Sequence, residues 1–157
     1  MKTQYEMLLY WFNGNTSAAD FVALFGSITQ DADDLVDDDK PINKSRAMAR
    51  VLHYTMVDLI NNQFYRTNID WLRPTISNII LAWDASNVWK ESSNSIDTHF
   101  AYVYRDLVET LAYQVALIIG GVEHAQNVAL DCHRFLTDQQ FETYDEWLLG
   151  EKGESNG

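Results

Sequence analysis

Apolar residues recur with a helical period along almost the whole chain, and this feature constrains the fold more than any other. Phe100, Val103, Tyr104, Leu107, Leu111, Val115 and Ile118 follow three- and four-residue steps, which put them on one face of a 3.6-residue repeat. Phe21, Leu24, Phe25, Ile28, Ala32, Leu35 and Val36 do the same upstream. So do Met48, Val51, Leu52, Thr55, Leu59 and Ile60, and then Ile69, Leu72, Ile76, Ile79, Ile80 and Trp83. Strand-type alternation is absent. The 157 residues include only 2 Pro and 7 Gly, so few positions interrupt a helix.

The punctuation divides these stripes into elements. Met1 to Phe12 carries an apolar run without a signal-type cleavage site and is expected to be a core helix of a cytoplasmic protein. Asn13-Gly14-Asn15 is a turn, and Asp39-Lys40-Pro41 ends the second helix, because proline biases its predecessor away from the α region. A third helix runs from Ser45 to about Asn61-Asn62. Pro74 fits a fourth helix only if that helix begins within a turn of it. Gly120-Gly121 stops the fifth helix, a sixth follows to about Leu136, and Thr137 with Gln140 resembles a capping box opening a last short helix through Leu149. The expected fold is all-α: a compact bundle of six to seven helices forming one domain over residues 1–149, with a flexible acidic tail over 150–157.

Charge excludes some functions. Eleven Lys+Arg stand against 23 Asp+Glu, a net charge of -12. Such a chain lacks the basic face that nucleic acid demands. No apolar run is long enough for membrane insertion. One cysteine, Cys132, leaves no internal disulfide, and the four histidines have no metal-type spacing. The acidity is also unevenly spread. Residues 31 to 39 hold six aspartates, residues 40 to 73 are net +4, and the segment from Asp138 onward is net -5.

The aspartate run is the main candidate site. On a helix, Asp33 and Asp37 are i,i+4 neighbours, as are Asp34 and Asp38, and each pair repels. The run closes a helix whose C-terminal dipole is already negative. A divalent cation such as Mg²⁺ reverses the sign of these interactions and bridges to phosphate oxygens. Solvated surface, or neutralisation by the neighbouring basic segment, is the alternative. Asp106 and Glu109 form an i,i+3 pair on the fifth helix that could supply opposing metal ligands. Arg46, Arg50 and Arg105 are candidates for phosphate contact, although Arg46 and Arg50 could equally neutralise the run. Asp58, Asn62, Asp84, Asn87 and Gln114 project on or beside apolar stripes, which suggests a polar cavity inside the bundle. The tryptophans are expected in the core or at an interface of a homo-oligomer.

The motif Asp33-Asp34-Leu35-Val36-Asp37 resembles the first aspartate-rich motif of class I isoprenoid synthases, all-α enzymes that hold Mg²⁺ and a prenyl diphosphate between acidic helices. The resemblance implies that Asp33 and Asp37 are the principal Mg²⁺ ligands, with Asp34 supporting, in a bundle of reduced size. Where that family carries a second acidic motif, this chain has Arg105-Asp106-Leu107-Val108-Glu109. The segments DDLVDDDK (33–40), NQFY (62–65), WDASNVW (83–89) and AYVYRD through VALIIGG (101–121) resemble a group of small phage and bacterial proteins. Three functions stay open. The first is Mg²⁺-dependent binding or turnover of a diphosphate compound. The second is a non-catalytic phage accessory role, binding a host or virion protein in the host cytoplasm. The third is an all-α nucleotide pyrophosphatase.

Overall fold

A computed structural model of the chain describes residues 2–37, 43–140 and 142–154. Among the described residues every regular element is helical, and the bundle has seven helices of eight residues or more. The elements are α1 (Gln4–Trp11), α2 (Thr16–Val36), α3 (Lys44–His53), α4 (Leu59–Asn61), α5 (Gln63–Thr67), α6 (Ile69–Trp89), α7 (Ser95–Tyr104), α8 (Thr110–Gln140) and α9 (Tyr144–Glu154). A π-helical turn, Tyr54–Asp58, joins α3 to α4, and a 3₁₀ turn, Leu107–Glu109, precedes α8. No helix among the described residues is long and apolar enough to cross a membrane.

Side-chain caps explain where most helices begin. Asn15, Asn43, Asn62 and Asn94 each accept a backbone N–H from the first turn they open, from Ala18, Arg46, Tyr65 and Ile96 respectively. Each cap is worth about 1 kcal/mol. α9 opens on a capping box between Thr143 and Glu146, not on Thr137 with Gln140: Glu146 Oε2 accepts the Thr143 N–H, and Thr143 Oγ1 accepts the Glu146 N–H. α9 then runs on to Glu154, so the segment expected as tail from residue 150 is helical as far as that residue.

The core forms where the apolar faces of α1, α2, α5, α6 and α8 meet. Phe12, Phe21, Leu72, Leu111 and Val115 are its largest fully buried side chains. The Phe21 ring lies 5.6 Å from Tyr65, 6.2 Å from Phe64 and 6.5 Å from Phe25, which ties α2 to α5. Trp11 fastens α1 to the distal half of α8. Its Nε1 donates to Asp131 at 2.8 Å, and its carbonyl lies 2.8 Å from His124 Nε2.

Several helices depart from the periodic reading. Residues 100 to 118 do not form one helix, because the chain bends between α7 and α8 and places Arg105 and Asp106 at the break. α8 is helical on both sides of Gly121, whose φ of 78° and ψ of -172° kink the helix axis. Pro74 lies in the second turn of α6, more than a turn from its start. It is solvent-exposed there, and it removes only the hydrogen bond to the Asp70 carbonyl. In α3 the residue that packs inward is Ala47, while Met48, Leu52 and Ile60 of the expected stripe are about half exposed. The π turn accounts for part of this shift, since one wide turn rotates the face that follows it. Val36, expected to carry the core stripe through the aspartate run, is 48% exposed.

Candidate functional site

The end of α2, the C-terminal half of α6, the break before α8 and the start of α9 surround a cavity of about 770 Å³. Its wall is apolar, with Phe25, Ile28, Leu59, Ile76, Ile79 and Val108 contributing. Trp83 and Trp147 also line it, and charged groups gather around Asp33, Asp37, Lys90, Arg105, Asp106, Glu142 and Glu151. α6 supplies its side by spacing alone: Ile76, Ile80, Trp83, Asn87 and Lys90 follow steps of four and three residues, which keep one face of a helix in register.

The aspartate run is split among different partners. Asp31 is buried on another face of α2, where the Arg50 guanidinium makes two bonds to its carboxylate, Nε at 2.9 Å. This contact raises the Arg50 pKa, through the Asp31 hydrogen bond first. Arg50 thus closes off Asp31 alone, and neither Arg50 nor Arg46 lines the cavity. Asp33 turns inward and accepts the Trp83 indole N–H at 3.1 Å. Asp34 accepts from Gln30 Nε2 at 3.1 Å. Asp37 caps the C-terminal end of α2 and lies 3.7 Å from Lys90 Nζ. Asp38 lies outside the described residues.

Across the cavity, Arg105 Nε contacts Asp106 Oδ2 at 3.1 Å, and its Nη1 reaches Glu142 Oε2 at 3.3 Å. The guanidinium also lies over the rings of Tyr102, at 4.6 Å, and Trp147, at 5.3 Å. Asp106 is held above the usual carboxylate range. Desolvation is the main cause; Glu109 and Asp33 add repulsion, and Arg105 opposes them. Lys90 keeps 17% of its side chain exposed and lies 3.3 Å from Glu151. Burial pulls its pKa down, but Glu151, Asp37 and Glu91 outweigh burial and raise it.

Glu109 faces away from this cavity. Its Oε1 lies 3.4 Å from His133 Nδ1, and its Oε2 is buried without a hydrogen-bond partner among the described residues. Nearby Cys132 has its thiol pushed up to about 12, by burial first and then by Glu109 and Asp131. Tyr113 is likewise raised, by burial and then by its hydrogen bond to Glu109. Of the five polar residues expected to line a cavity, only Asn87 does so, donating to the Trp83 carbonyl at 3.2 Å. Asp58 instead pairs with His53 at 2.8 Å, the i,i+5 spacing that a π turn brings together. Asn62 caps α5 and donates to the Ser17 carbonyl at 2.9 Å. Asp84 is exposed, and Gln114 is half-buried outside the lining.

The site therefore brings together Asp33, Asp37, Arg105, Asp106 and Asn87 of the sequence candidates. It adds Lys90, Glu142, Trp147 and Glu151, which the sequence reading did not select. The signals were available, because Lys90 continues the α6 row and the Thr143-x-x-Glu146 box announces α9. Among the described residues no three His, Cys, Asp or Glu side chains sit together as a ready metal cage. Mg²⁺ needs less than that: it takes one or two carboxylates and completes its shell with water and phosphate. No protein-family model, curated protein or solved structure matches the chain.

Proposed function

We propose that the protein binds a small molecule with an apolar body and a diphosphate head, the head being held through Mg²⁺ by Asp33 and Asp106, with Asp37 reaching the water shell of the metal. One observation carries this reading. Carboxylates from two separate segments, the end of α2 and the break before α8, line a single apolar-walled cavity. The walls favour an apolar body by roughly 25 cal/mol for each Å² they cover. Lys90 and Arg105 stand among the carboxylates and supply donors to phosphate oxygens. The same lining holds five carboxylates against these two cations, so a bare diphosphate is repelled. A divalent cation converts that repulsion into attraction and relieves the crowding of Asp106 by Asp33.

The net charge of the lining also favours a second reading, an amphipathic organic cation that binds without metal against Trp83 and Trp147. Calorimetry separates the two. Pyrophosphate and a medium-chain alkyl diphosphate are titrated with Mg²⁺ and with chelator, and an alkylamine is titrated in chelator. The proposal expects Mg²⁺-dependent binding, tighter for the alkyl diphosphate, and loss of binding in the variant Asp33→Asn with Asp37→Asn. Absence of diphosphate binding, or binding indifferent to both substitutions, overturns it.

A further inference from the structure

The hairpin of α6 and α7 leaves an apolar face uncovered. On α6, Leu81 and Val88 are seven residues apart and are 64% and 67% exposed. On α7, Ile96, Phe100 and Val103 follow i, i+4, i+7 and are 63%, 49% and 57% exposed. At about 100° per residue, Leu81 and Val88 point away from core-facing Ile79, towards the flank that Trp89 occupies. The three α7 residues point away from buried Ala101, towards the flank of Phe100 and Tyr104. Trp89 joins the two flanks, with its ring 6.3 Å from Phe100 and 5.4 Å from Tyr104. Both rows therefore belong to one surface, and the carboxylate of Asp84 and the imidazole of His99 project to its outer edges.

We propose that this face docks a second copy of the same chain, the two α6–α7 hairpins packing about a two-fold axis as a four-helix layer. Area supports this occupant. Five large side chains exposed to this degree present roughly 400 Å² of apolar surface. A standard interface covers about 800 Å² per partner, and in homodimers about 65% of it is apolar, so these five side chains supply most of the roughly 520 Å² of apolar contact that a dimer uses. Charge points the same way. At net -12, two copies repel wherever their charged surfaces approach, and a contact through an uncharged face keeps those surfaces apart. An acidic or basic protein partner finds no charge between the rows to read. An anionic bilayer calls for a basic margin, whereas the flanking side chains include Asp84 and Glu91. A second copy meets the face with identical apolar chemistry and leaves Asp84 at its margin, outside the rows of apolar contact.

Sedimentation equilibrium of the full chain over the micromolar range tests the proposal. The expected mass is that of a dimer. Leu81→Glu with Val103→Glu is expected to weaken dimerisation by more than ~100-fold, since each charge enters the interface twice. Both sites are exposed, and an unchanged helical circular dichroism spectrum checks the variant's fold. As an independent measurement, a short bismaleimide is expected to link Val103→Cys protein into a dimer, because Cys132 is buried and unreactive. A monomer at every concentration, or a double variant that dimerises as tightly as the original, overturns the proposal.

Discussion

Asp106→Asn replaces a carboxylate by an amide of the same shape at the break between α7 and α8. In the folded protein Asp106 is raised above its ordinary pKa, so the folded state holds this proton more tightly than the unfolded chain does. Its ionised form therefore lowers stability above the unfolded aspartate value of about 4, and the loss disappears as the pH falls through the folded value towards it. Asp106 keeps 39% of its side chain exposed, so water screens much of the effect. The gain from the amide at pH 7 is set below about 1 kcal/mol. That corresponds to a rise in Tm of at most ~2–4 °C for a domain of this size. Mg²⁺ with an alkyl diphosphate at a hundred times Kd should then reverse the order. The original protein gains about 2.7 kcal/mol from ligand, and the variant, lacking a metal ligand, gains less. Thermal unfolding followed by circular dichroism at pH 7 and near pH 4, with and without ligand, measures both effects. A lower Tm for Asp106→Asn at pH 7 without ligand would refute the reasoning, because it would make the Arg105 contact outweigh burial and repulsion.

Three further outcomes are expected. Phe21→Ala empties a fully buried site among Phe25, Phe64 and Tyr65 and should lower urea-unfolding stability by about 3–5 kcal/mol. Glu142→Gln with Glu151→Gln removes the carboxylates that face Arg105 and Lys90, so α9 should loosen, with a red shift of Trp147 emission and little change in global Tm. Cys132, with its thiol at about 12, should react with a disulfide reagent at pH 8 orders of magnitude more slowly in the folded protein than in urea.

The helical class was legible because the apolar period is strong and Pro and Gly are few. The α7–α8 break was not, since Leu107 continues the stripe of Phe100, Val103 and Tyr104 without interruption. Contacts between distant segments gather beside the break: Arg105 Nη1 reaches Glu142, Tyr102 donates its hydroxyl hydrogen to the Glu142 carbonyl, and the Thr98 hydroxyl meets that of Tyr144 at 2.6 Å. For the site, the aspartate run marked the end of α2 as unusual, but periodicity cannot say which carboxylate meets which cation. Asp31 and Asp33 are two residues apart and point to opposite duties, one closed by Arg50 and one facing the cavity. That division follows from α3 packing against α2, which brings Arg50 to Asp31, and from the Trp83 indole of α6 reaching Asp33. Lys90 shows the converse, because its row along α6 was readable while its importance rests on Asp37 and Glu151 from other helices.

The fastening of Trp11 bears on how fast this bundle folds. Its bonds reach Asp131, 120 positions along the chain, and His124, 113 positions along. Most helical bundles gain speed from neighbours that pair soon after they are made, and folding slows as contacting residues become more distant in sequence. Closing so long a loop adds only about 2 kcal/mol beyond a loop of some fifteen residues, because the entropy grows with the logarithm of length. The native state therefore tolerates the arrangement, while the search for it is prolonged. Docking of α1 onto α8 is expected late in folding, so weakening it should quicken unfolding more than it slows refolding. A chain whose local signals are almost wholly helical thus carries in one tryptophan the long-range closure more familiar from β-sheet proteins.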